Sequence, residues 1–191
     1  MDAAAPYAFA YSLTTTAGVR SLLALAAVAV AAHVHWLHPP AGFAWLGSTA
    51  AMWILIGVAV VEILADKIPL LDHAVHFVQV AGKPAAGAIL VGGSVHAQSH
   101  EVLIGLMVLG GLNALGIHAA IASLRGASTV TTGGVANPAV SLVEDFGAIG
   151  ALLIAFLAPF LAAILAVGFT IGLVLLARSA YRRMRAAKAT T

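Results

Sequence analysis

The chain has 191 residues, of which 62% are hydrophobic and only 8% charged, and its mean hydropathy is +1.04; an ordinary soluble domain carries about 25% charged residues. That composition excludes a disordered segment, and the absence of cysteine excludes a disulfide scaffold, thiol catalysis and thiolate metal ligation. The pI of 9.3 does not point to nucleic acid, because five of the nine basic residues, Arg178, Arg182, Arg183, Arg185 and Lys188, crowd the C-terminal tail.

A membrane span needs about 20 mostly apolar residues, and the sequence offers such stretches in series. The first, Ala17 to Leu37, has Arg20 near one end and finishes in HVHWLHPPAGFAW, a composition suited to an interfacial turn. The second, 45–65, closes on Asp66-Lys67-Ile68-Pro69. The third, 73–95, holds Lys83-Pro84 in its middle, and the fourth covers 102–124. A Gly/Ser/Thr-rich interval from Arg125 to Pro138 reads as a flexible loop. The last apolar run, Ala139 to Ala177, would make a helix of about 58 Å, twice a bilayer core, so it divides at Pro159 into spans 139–158 and 160–177. The whole chain, 1–191, reads as one all-α membrane domain of about six transmembrane helices with a basic tail, 178–191. With that tail inside, both termini are cytoplasmic, and every Lys and Arg except mid-span Lys83 falls on the inner side. Gly168 and Gly172 form a GxxxG on the last span, and Gly105, Gly110, Gly111 and Gly116 line the fourth. Such residues serve close packing within the chain or a homodimer seam.

Intramembrane acids mark functional-site candidates, since each costs at least about 2.5 kcal/mol on insertion scales. Glu62 and Asp66 stand one helical turn apart at the end of span two, and Glu144 and Asp145 lie nearly two turns into span five. Arg20 is the expected internal counter-ion, and Lys83 adds a mid-membrane cation. Two readings stay open: a polar site at which these acids hold a cation by oxygen ligands, or a salt-bridge network that only locks helices together. A third candidate is an anion or lipid-phosphate nest formed by Thr131, Thr132, Gly133 and Gly134 before a helix capped by Asn137. His33, His35 and His38 form an outer-face candidate metal set, with interfacial placement as the simpler explanation. The pentads TTAGV (15–19) and TTGGV (131–135) echo one another, as in duplicated transporters. No GxGD, HExxH or GxSxG motif is present, so an enzyme is not expected, and no cofactor is implied.

At Glu62-Ile-Leu-Ala-Asp66-Lys67-Ile-Pro69 and Asn137-Pro138-Ala-Val-Ser141-Leu-Val-Glu144-Asp145, the chain resembles a family of small bacterial integral membrane proteins known as a domain of unknown function. The resemblance runs from Ala17 to the basic tail and takes in Lys83-Pro84-Ala-Ala-Gly87, where arginine is the more usual residue at the lysine. It implies a multi-span protein of the bacterial inner membrane. More distantly, Glu62-x-x-x-Asp66-Lys67 is similar to the E-x-G-D-K motif of manganese and calcium exporters, with one extra residue and Ala65 in place of the glycine. The expected activity is transport or channelling of a small solute or cation through the polar inner half, with the lipid bilayer and a second copy as partners and no nucleic acid. The alternative is a non-transporting scaffold or lipid-binding protein whose charges are structural.

Overall fold

A computed structural model describes residues 3–65, 69–133 and 135–188, with side chains apart from 69–78, 180 and 183–188. Among the described residues the chain is helical throughout its ordered elements: α1 Ala5–Val19, α2 Ser21–His33, a 3-10 helix Ala41–Gly47, α3 Thr49–Ala65, α4 Pro69–Ser94, α5 His100–Thr132, α6 Asn137–Leu157 and α7 Pro159–Lys188. The all-α expectation holds. Three of these helices are individually long and apolar enough to cross a membrane, His100–Thr132, Asn137–Leu157 and Pro159–Ser179. The 3-10 helix and α3, bent by 65°, make a fourth if taken as one span.

Two of the differences between the element boundaries and the sequence expectation fall on Ser/Thr-containing segments. The first span was expected to start at Ala17, yet a separate helix, α1, already runs from Ala5, and its end falls at Arg20, inside the expected span. The interval 125–138 was expected to be a loop, yet α5 continues to Thr132. In both segments the Ser and Thr hydroxyls turn back onto their own helix. Ser12 donates to Ala8 O at 2.9 Å, Thr16 to Ser12 O at 2.9 Å, Thr129 to Arg125 O at 2.9 Å and Thr132 to Ser128 O at 2.8 Å. Satisfied in this way, hydroxyls lose their reason to break a helix. Gly133 ends α5 in the left-handed region, at φ 64, where a side chain would be strained. The break at Pro159 is as expected: α6 stops at Leu157 and the proline opens α7.

Helix α1 is the hub, packing against α4, α5, α6 and α7, while α2 lies against α3 and α4. The shared core is made of small and medium side chains, among them Leu13, Ala17, Ala24, Val28, Ala86, Leu90, Ala114 and Ala155. Phe9 and Phe156 meet edge to face, with ring centroids 5.0 Å apart. Glycines set the closest crossings. A Cβ on Gly18 would meet Ala114 O of α5 at 2.8 Å, and one on Gly87 of α4 would meet Gly110 O of α5 at 2.5 Å. Of the glycines expected to line span four, Gly110 and Gly111 are packed, whereas Gly105 and Gly116 face open space. Gly168 and Gly172 also have nothing near them, so the GxxxG of α7 packs against none of the described residues.

Candidate functional site

Helices α1 and α2 are separated by one residue, Arg20, whose backbone is extended at φ −134 and ψ 91. A break of this kind leaves the last carbonyls of one helix and the first N–H groups of the next without intrahelical partners. Here it is buried, so those groups need partners from the protein. Lys83 of α4 donates from Nζ to Gly18 O at 3.0 Å and Val19 O at 2.7 Å, closing the C-terminus of α1. Glu62 of α3 closes the N-terminus of α2, its carboxylate accepting from Leu22 N at 3.1 Å and Ser21 Oγ at 3.0 Å. Each charge has the sign that the local helix dipole favours: a cation on the carbonyl end, an anion on the amide end. Lys83 is 3% exposed and Glu62 4%, so neither charge is relieved by solvent.

Arg20 itself points to α6. It is the largest fully buried side chain of the described residues. Its Nε lies 2.7 Å from Asp145 Oδ1, an ion pair by distance rather than an aligned hydrogen bond. Its Nη2 donates to Ser141 Oγ at 2.9 Å and approaches Glu144 Oε2 at 3.6 Å. Ser141 and Asp145 stand one turn apart and present one face of α6 to the break. Glu144 is shared: Arg125 of α5 grips it as a fork, Nε to Oε1 at 3.1 Å and Nη2 to Oε2. A carboxylate held between two guanidinium groups, only 12% exposed, is fixed in place by α1 and α5 together.

Five of the six expected polar-site residues therefore gather at one helix break: Arg20 is the break itself, and Glu62, Lys83, Glu144 and Asp145 reach it from α3, α4 and α6. The sixth, Asp66, lies outside the described residues. One pairing is corrected. Arg20 was expected to neutralise Glu62 as well as Glu144 and Asp145, but among the described residues no cation is within ion-pair distance of Glu62; the amide end of α2 takes that role. Sequence reading missed Ser141, whose hydroxyl accepts from Arg20, and Asn113, whose Nδ2 donates to Thr14 Oγ1 at 2.9 Å and Thr15 Oγ1 at 3.0 Å, tying α5 to α1. Asn113 stands alone as an amide in an apolar span, which was the available signal. Ser141 was marked only by its place in the motif from Asn137 to Asp145, which gave it no role.

Of the expected nest, the described residues are engaged within the α5–α6 turn. Thr131 and Thr132 form the last turn of α5 and donate to the carbonyls of Ala127 and Ser128, Gly133 ends that helix, and Gly134 lies outside the described residues. Asn137 is not the cap expected of it: Ala136 occupies the cap position, and Asn137 Nδ2 donates to Thr129 Oγ1 at 3.0 Å, closing the turn between α5 and α6. On the opposite face His33 donates from Nδ1 to Gly47 O at 3.0 Å, and the rings of His35 and His38 stack with centroids 6.5 Å apart. Among the described residues no three His, Asp or Glu side chains come together as metal ligands would.

Beside the break, α1, α5, α6 and α7 enclose a cavity of about 820 Å³. Its walls are almost entirely carbon, with Arg125 and Glu144 the charged exceptions.

Fold and site together define a class: an all-helical, membrane-competent protein with compensated charges buried at a discontinuous helix. Within that class, residues 7–179 match the family described as Domain of unknown function (DUF4126), and the chain belongs to that family. The match takes in the break, all five gathered charges and the cavity walls. No curated protein and no solved structure matches the chain.

Proposed function

We propose that this is a six-span protein of the bacterial inner membrane that moves a small solute, and that the discontinuous helix α1–α2 is its site. The six spans would be α1 with α2, the 3-10 helix with α3, and α4 to α7 singly. The observation that carries the reading is the buried break at Arg20, with Lys83 on one helix end and Glu62 on the other. Interrupted helices at membrane depth are tolerated only where they are buried in protein or line a cavity, and transporters place substrates at such interruptions. A bare cation is the less suitable solute, because Glu144 and Asp145 already face Arg20 and Arg125 and Glu62 faces a helix terminus. An uncharged or zwitterionic solute leaves that balance intact. A chain of this size calls for a homodimer, and the outward Gly168 and Gly172 offer its seam. We assign it no enzymatic activity.

A specific observation favours the second reading, a non-transporting scaffold: the charges gathered at the break have protein partners already. Proteoliposomes separate the two. Wild type, Glu144→Gln and Arg20→Gln are assayed for flux of glycerol, glycine, sodium and calcium and for transbilayer movement of a fluorescent phosphatidylcholine. Transport of one probe by wild type, lost in Glu144→Gln assayed below that variant's melting temperature, supports the transport reading. Silence of wild type on every probe, with both variants equally destabilised, supports the scaffold.

A further inference from the structure

The cavity has a shape and a charge pattern that the transport reading does not use. It follows α6 from Ala136 to Ile154, about 27 Å at the helical rise. Glu144 divides it. From there to Ile154 is about 15 Å of wall, lined by Gly147, Ala151, Leu165 and Phe169, which matches half of a hydrocarbon core of about 30 Å. The rim is apolar and open: Val143 is 73% exposed, Leu176 60%, Leu165 49% and Phe169 45%, so the cavity is continuous with the outer, lipid-facing surface of α6 and α7. Ser12 and Thr16 of α1 line it too, but their hydroxyls donate to their own helix.

Charge decides what such a space accepts. Among the described residues Arg125 and Glu144 are the charged pair on the cavity wall, in a setting where an uncompensated charge is costly. An anion or a cation alone could take the place of only one member of that pair. A zwitterion can take the place of both: the Arg125–Glu144 pair can exchange partners with it, guanidinium to phosphate and carboxylate to ammonium, at constant net charge.

We propose that this cavity holds a zwitterionic phospholipid, with its phosphate on Arg125, its ammonium on Glu144 and an acyl chain along the wall from Gly147 to Ile154. This names the class of the solute and rests on the transport reading only for passage, because occupancy is measured without flux. The full chain, delipidated in detergent, is melted with phosphatidylethanolamine, phosphatidylglycerol, diacylglycerol or free phosphoethanolamine. Phosphatidylethanolamine is expected to raise the melting temperature by roughly 5–10 °C at a hundred times its dissociation constant, with the other three well below it. Ala151→Trp fills the acyl section and is expected to lose that rise. Leu165→Trp, at a half-exposed position, makes the same test should Ala151→Trp fail to fold. Glu144→Gln removes the carboxylate that would take the ammonium while keeping Arg125, and is expected to move the preference to phosphatidylglycerol. Equal stabilisation by zwitterionic, anionic and uncharged lipids, a rise with the free headgroup as large as with the lipid, or a tryptophan variant that keeps the wild-type response would overturn the proposal. Selective lipid stabilisation without transbilayer movement would sink the transport reading and leave this one standing; flux without that selectivity would do the reverse.

Discussion

At the scale of the residue, Arg20 is the position on which most depends. Its guanidinium is 1% exposed, and Asp145, Glu144 and Ser141 stand where water would otherwise meet it. Removing one member of such a set leaves the other charge buried and uncompensated, which costs about 3–5 kcal/mol, whereas removing both is often close to neutral. Arg20→Gln is therefore expected to be strongly destabilised in detergent melts, and Arg20→Gln with Asp145→Asn to recover most of the loss. An additive double variant would show that the two residues do not act as a pair. Glu62, Glu144 and Asp145 were legible in the sequence as acids too deep in apolar runs to be accidental. Their partners were not, since a sequence gives depth along a helix but not which faces meet.

At the scale of the element, the break between α1 and α2 is stabilised by chemistry supplied from elsewhere. Arg20 is no natural breaker, and the segment Thr14 to Leu25 lacks proline. What holds the chain extended for one residue is Lys83 on the carbonyls behind it and Glu62 on the amides ahead. Removing the acceptor for a buried N–H costs about 1–3 kcal/mol. Glu62→Leu is thus expected to lose about that much stability and to speed hydrogen exchange at Leu22, while Glu62→Gln, which keeps an acceptor, loses less. Equal exchange at Leu22 in wild type and Glu62→Leu would remove Glu62 from this role. Of the two pentads that echo one another, 15–19 closes α1, while Thr131 and Thr132 close α5 and Gly134 lies outside the described residues.

At the scale of the whole molecule, the described helices agree with a membrane protein, and the sixfold arrangement is tested by topology. A reporter fused after Thr191 is expected to read cytoplasmic, and one inserted after His38 or Ala97 to read on the opposite side; a periplasmic signal after Thr191 would break the scheme. The basic tail and the Lys- and Arg-free turns at 33–43 and 96–101 motivate that orientation.

By itself the sequence determined the class of environment, the helical content, the division at Pro159 and most of the polar residues that matter, because hydrophobicity, proline geometry and the cost of buried charge act locally. Tertiary structure decided the rest. It turned two Ser/Thr-rich segments into helix once their hydroxyls were satisfied, placed a break at Arg20 that no local residue encodes, and assigned Glu62 to a helix terminus in place of an arginine. It also opened a cavity between α1, α5, α6 and α7. Each of these depends on which side chains meet across helices distant in the chain, and a backbone group or a buried charge settles its conformation only when its partner arrives.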